Sequence, residues 1–208
     1  MSAGSMILTI AAVLVYCGLL QRVIDRMYMT DRQALLVIGA MLLGTFLPDI
    51  NLGMISIGIG GALIPLAICA YLIFKADETA ERWHAMIGTL LTAASVYAIS
   101  KLLPAEAEAL PLDPMWLYGL CGGVIAWLFG RSRRNAFICG VAGVITADIV
   151  SGIVALVQGY QVQIVLGGGG IADAAVISGV IGVLLCELLG ELIERIARRT
   201  AQREGGNV

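Results

Sequence analysis

Four polar residues stand where such side chains are costly. Asp148 is the only charged residue between Asn135 and Ala172. An Asp at the centre of a membrane helix costs about 2.5–3.5 kcal/mol on insertion scales, so it faces inward and has a partner or a function. Asp49 and Asn51 follow Pro48, and Asp173 follows the glycines at 167–170. Two kinds of chemistry fit. A mid-membrane carboxyl beside broken, glycine-rich segments is how carriers build a site for a proton, a cation or a small solute. For that use the expected binding set is Asp49, Asn51, Asp148 and Asp173, with Gly169 and Gly170. Alternatively, Asp148 and Asp173 are the catalytic pair of an intramembrane di-aspartyl enzyme that cleaves a transmembrane peptide. Two carboxyls sharing a site do not easily both ionise, so one serves as acid and the other as base. A non-catalytic membrane scaffold is the third expectation.

The local sequence says how these residues are held. Asp148 shares a helical face with Gly140, Val144 and Gly152, and Gly143, Ala147, Ser151 and Ala155 line the next face. Small residues let helices approach closely, as a buried carboxyl requires. Residues 161–172 are uncharged, whereas the loop at 104–114 carries Glu106, Glu108 and Asp113. That contrast predicts a loop dipping into the protein. Its glycines can aim backbone amides at the start of the last helix, where the dipole favours anions. No GK[ST] follows them, so a Walker-type phosphate site is set aside. Asp173 is also well placed to cap that helix. The glycine-rich approach to Asp173 is similar to the G-x-G-D motif of presenilin-type and prepilin peptidases, although Gly170-Ile171-Ala172-Asp173 lacks the final glycine.

Composition requires a membrane to hold these elements. Hydrophobic residues make up 59% of the 208-residue chain and charged ones 13%, against about 25% charged in soluble domains. The mean hydropathy is +0.92. The expected fold is all-α: a polytopic membrane bundle of about seven helices, with a glycine-rich loop before the last. The spans fall roughly at 3–21, 33–48, 54–75, 84–103, 115–130, 136–158 and 172–194. The second and fifth are short. Residues 1–198 form one transmembrane domain and 199–208 a polar tail. The opening stretch lacks a basic leader, so the first span is expected to remain in the mature protein. Small-residue faces place the third, sixth and seventh spans at the packed centre.

All but one of the 13 Lys and Arg residues fall in alternate connections and the C-terminal end. Lys101 is the exception. This bias predicts the N-terminus outside and the C-terminus cytoplasmic. Glu191–Arg195 and Glu194–Arg198 are favourably oriented pairs on a helical extension of the last span, and Glu187 lies deep enough to face the bundle. The net charge of −2 excludes a nucleic-acid partner. Cys17, Cys69, Cys121, Cys139 and Cys186 are scattered and His84 is the lone histidine. The cysteines read as packed hydrophobes, no Cys/His metal site is expected and no cofactor is implied. The expected partners are the lipid bilayer and a solute, cation or transmembrane peptide, with oligomers open.

Three segments together resemble the prokaryotic membrane family DUF1614. They are the stretch from Asn51 through Gly60-Gly61-Ala62-Leu63-Ile64-Pro65, then Gly143 to Asp148, and Val165 to Gly179. The resemblance implies a polytopic protein of the prokaryotic cytoplasmic membrane, and it carries no activity.

Overall fold

The computed structural model describes residues 31–76, 78–102, 114–130, 132–170 and 173–205. The first expected span, Cys17 and nearly all of the acidic loop lie outside them. Within them the chain is mostly helical: α1 (Asp31–Thr45), α2 (Ile64–Phe74), α3 (Thr79–Leu102), α4 (Pro114–Gly130), α5 (Arg133–Val157) and α6 (Ala174–Gly205). α6 therefore runs on through most of the polar C-terminal segment.

Two features depart from an all-α bundle. A small sheet joins β1 (Ile50–Asn51), β2 (Ile55–Ile57) and β3 (Ile164–Leu166) in that order. β1 and β2 form a hairpin, and β2 pairs with β3 in parallel, Ser56 opposite Val165. Pro48 stops α1, because the residue before a proline is pushed out of the helical region, and the β-branched runs beyond it favour extended backbone. The span expected at 54–75 is consequently broken into β2, a π-helical turn (Ile59–Leu63) and α2. In the turn the Gly58 carbonyl accepts from both Ala62 and Leu63, and the Ile64 N–H reaches Ile59. Pro65 brings no N–H to the ladder, so the wide turn changes to α-helix there.

α3, α4, α5 and α6 pack into a four-helix bundle, with α1, the π turn and α2 beside it. The centre is thus α5 and α6 with α3 and α4, in place of the expected 54–75 segment. The reason lies in α4. Gly119, Gly122 and Gly123 receive Ile177, Ser178 and Ile181 of α6, and a Cβ at Gly123 would sit 2.6 Å from Ile181. Gly140 of α5 lies against the Gly179 backbone of α6, and Gly143 against Thr92 of α3. Val141, Val144 and Cys139 of α5 and Leu72 of α2 are fully buried.

α3 and α5 are long and apolar enough to cross a membrane, and only 28% and 44% of their apolar stretches are buried. The shorter apolar helices are the π turn with α2, the segment 117–130 in α4, and 174–190 in α6. Outward-facing Trp83, Met86, Leu90, Leu128 and Ile153 leave a broad apolar surface. Monomers in water seldom expose continuous apolar patches beyond a few hundred Å².

Candidate carboxyl site at the strand end of the bundle

The sheet, the π turn and the glycine-rich loop gather at one end, where α3 and α5 finish and α6 begins. The loop is held by backbone contact. Gly58 N–H donates to the Leu166 carbonyl at 2.8 Å, and Ile164 N–H to that of Met54 at 2.8 Å. A Cβ on Gly61 would overlap the carbonyl oxygens of Gly167 and Gly170, and one on Gly58 would overlap Gly167. Gly167 itself has φ +68°, a conformation side chains disfavour. The two glycine-rich segments of the sequence thus clasp each other, and Ile164, Leu166, Gly167 and Gly170 are buried. The loop dips into the protein only from Ile164 onward, while Gln161, Val162 and Gln163 are exposed, so the expectation from its lack of charge holds in part.

The clasp sets the start of α6. Asp173 is buried; its Oδ1 accepts the Ala175 N–H at 3.0 Å and its Oδ2 the Gly169 N–H at 3.2 Å. It is the helix cap, and both of its oxygens are used. The amides that might have received an outside anion at this N-terminus are engaged by the protein's own carboxylate. Gly169 thus joins the site through its N–H, while Gly170 packs on Thr45 of α1.

Asp148 reaches the same region from α5. Its carboxyl lies within electrostatic range of Asp173, and Tyr118 of α4 lies within range of Asp148. Among the described residues no hydrogen bond joins the two carboxyls. Sequence reasoning missed Tyr118; the available signal was its place one turn before Gly122 on the glycine face of α4. Ser178, also missed, is fully buried and projects at Gly122 beside Val144, one turn deeper than Tyr118 and Asp148. Its hydroxyl has no hydrogen-bond partner among the described residues.

Asp49 and Asn51 are placed differently. Both are exposed; Asn51 lies in the outer strand β1, and Asp49 immediately precedes it. The Asn51 Oδ1 accepts from Gln163 Nε2 at 3.4 Å, and neither residue is bonded to Asp148 or Asp173 among the described residues. The expected set therefore separates into a buried Asp173 with a half-buried Asp148, and an exposed rim. Among the described residues no three His, Cys, Asp or Glu side chains gather as a metal site. Cys69 and Cys139 are buried, and the Cys139 thiol donates to the Ala85 carbonyl at 3.6 Å, in keeping with their reading as packed hydrophobes.

The opposite end is built from ion pairs. Arg133 pairs with Glu187, so Glu187 does face the bundle, and Arg134 lies 3.5 Å from Glu81. Asn135 Nδ2 donates to the Glu81 carbonyl, and Arg82 Nη2 to that of Ala76. Ser132 caps α5 by accepting the Asn135 N–H at 3.2 Å. The side chains of the Glu191–Arg195 and Glu194–Arg198 pairs lie outside the described residues.

The three segments that carry the family resemblance converge on the carboxyl site: the hairpin with its π turn, the α5 stretch ending in Asp148, and the loop from Val165 into α6. No curated protein and no solved structure matches this chain. A family model described as "Protein of unknown function (DUF1614)" matches residues 29–185, and the chain belongs to that family.

Proposed function

We propose that this protein is a multi-pass transporter or channel-like protein of the prokaryotic cytoplasmic membrane that passes a proton, a cation or a small solute through the Asp148–Asp173 site. The observation that carries this reading is a carboxyl in the middle of an apolar 25-residue helix, within electrostatic range of a second acid. Such a group is retained in a membrane helix for ion or proton traffic. The π turn and glycine clasp beside it are the broken backbone with which carriers line a binding site. Charge bias orients the strand end outward and the ion-paired end toward the cytoplasm, with the N-terminus outside.

The nearness of the two acids also favours an intramembrane di-aspartyl protease. That reading ranks second, because both Asp173 oxygens accept backbone amides and leave it poorly placed to activate water. A scaffold role gives Asp148 no task.

The test is reconstitution of purified protein into liposomes, with flux measured for protons, sodium, potassium and calcium. The expected result is flux of at least one ion in the wild type and none in a stably folded Asp148→Asn protein. Equal flux in both, or cleavage of a transmembrane peptide lost in either aspartate variant, would overturn it.

A further inference from the structure

The two carboxyls of the site are not equivalent. Asp173 accepts one N–H on each oxygen and stands at the positive end of α6. That is how a protein solvates a carboxylate anion, and it leaves few lone pairs for an incoming metal ion. Asp148 has no such donors among the described residues. It sits inside an unbroken α-helix whose amides are committed to the helical ladder. The titratable groups that face it, among the described residues, are Asp173 from the start of α6 and Tyr118 from α4. No basic side chain is among them. Where Asp173, with its amide donors, carries the negative charge, a second full charge at Asp148 is opposed by repulsion, and a proton relieves it without any rearrangement.

Ser178 supplies an independent observation. Its side chain is 0% exposed, and its Oγ has no hydrogen-bond partner among the described residues. A buried hydroxyl left unpaired costs about 1–3 kcal/mol. This one projects at Gly122 into the α4–α5–α6 junction, one turn below Tyr118 and Asp148. A serine that ignores its own helix and points into a junction shared with a carboxyl and a phenol is placed to donate to and accept from a transient guest. Hydroxyl and carboxyl groups in series suit a proton, alone or on a water molecule. A metal ion would call for more anionic or carbonyl ligands than this junction turns inward.

We propose that the ion handled at this site is a proton: Asp148 binds and releases it, Asp173 is a fixed counter-anion, and Ser178 is the next hydrogen-bonding station toward the ion-paired end. This assignment rests on the transport reading above.

Two measurements test it separately. In the first, liposomes holding a pH-sensitive dye are driven by a potassium gradient with valinomycin, and sodium and calcium uptake are followed in parallel. The expected wild-type result is proton flux without sodium or calcium uptake. Flux falls to the empty-liposome background in Asp148→Asn, falls partly in Asp173→Asn, and slows in Ser178→Ala, whose melting temperature is unchanged or raised because an unpaired buried hydroxyl is removed. Sodium or calcium flux without acidification would overturn the proton assignment while sustaining the transport reading. Full proton flux in Ser178→Ala would remove Ser178 from the path. Silence toward every ion would overturn the transport reading, and conduction with it.

The second measurement needs no flux. Infrared difference spectra of the purified protein across a pH titration should show a protonated-carboxyl band that vanishes in Asp148→Asn and persists in Asp173→Asn. A band that persists in Asp148→Asn, or is absent in the wild type, would contradict the assignment of the proton to Asp148.

Discussion

The two ends of the bundle are closed by opposite means. At one end side chains do the work: Arg133 with Glu187 and Arg134 with Glu81 tie α5 to α6 and α3. Charge is balanced there within partly buried pairs. At the other end backbone lies on backbone, through Gly58, Gly61, Gly167 and Gly170. Among the described residues the two aspartates at that end have no basic partner; one is satisfied by amides and the other lies within electrostatic range of an acid. The contrast separates structure from function. The glycines and the ion pairs hold the protein together, so Asp148 is left without a structural duty that a neutral side chain could not fill.

The largest effect should come from breaking the clasp. Gly61→Ala puts a methyl group into the Gly167 and Gly170 carbonyls, where neither strand nor turn can yield. Overpacking costs typically ~1–3 kcal/mol and more against backbone, so a marked fall in melting temperature or in folded yield is expected. Gly190→Ala is the control, since a Cβ there meets nothing within 4 Å. It should be neutral or slightly stabilising, because Ala is favoured over Gly by up to ~1 kcal/mol in a helix. Equal tolerance of the two changes, measured by thermal unfolding in detergent, would deny the clasp.

Next in size is the ion-paired end. Glu187→Gln leaves Arg133, whose side chain is 18% exposed, without its counter-charge. A loss of ~1–3 kcal/mol is expected for an unpaired, largely buried partner. Arg133→Gln on top of it should cost less than its effect alone, and a double-mutant cycle measures the coupling. Strict additivity would mean that the pair holds nothing.

Asp173→Ala should cost ~0.5–2 kcal/mol as the loss of an N-cap. Asp173→Asn keeps one acceptor and should cost less, read from the same unfolding curves. Asp148→Asn should leave stability within about 1 kcal/mol of the wild type, because an amide of equal size replaces a carboxyl that accepts no amides from the described residues. The smallest effect belongs to Asn51→Ala, which removes one long, exposed contact to Gln163. A change within ±0.5 kcal/mol is expected for such a surface site.

Much of this could be read from the chain. The inward face of α5 follows from Gly140, Val144 and Asp148 at helical spacing, and the capping role of Asp173 follows from its place after a glycine run. Charge spacing marked which connections share an end. The sheet could not be read, because β2 and β3 are three residues each and pair across most of the bundle. Helical periodicity gives no register for a strand pair formed by chain ends that meet only after the helices pack. For the same reason the sequence groups Asp49 and Asn51 with Asp148: their place after Pro48 suggests depth, whereas the hairpin turns them to the exposed rim. The glycine spacing of α4 was visible at Gly119, Gly122 and Gly123. Its consequence, a groove for Ile177 and Ile181, needed the partner helix to be known.

The proposed transport reading puts the two ends on opposite sides of a membrane, with the carboxyl site nearer the outer one. Cysteines introduced singly at Gln163 in the loop and at Ala80 near the start of α3, both exposed positions, test it with a membrane-impermeant thiol reagent on intact cells. Labelling above the wild-type background is expected for Gln163→Cys in intact cells, and for Ala80→Cys only after permeabilisation. Labelling of both from the same side would contradict this placement.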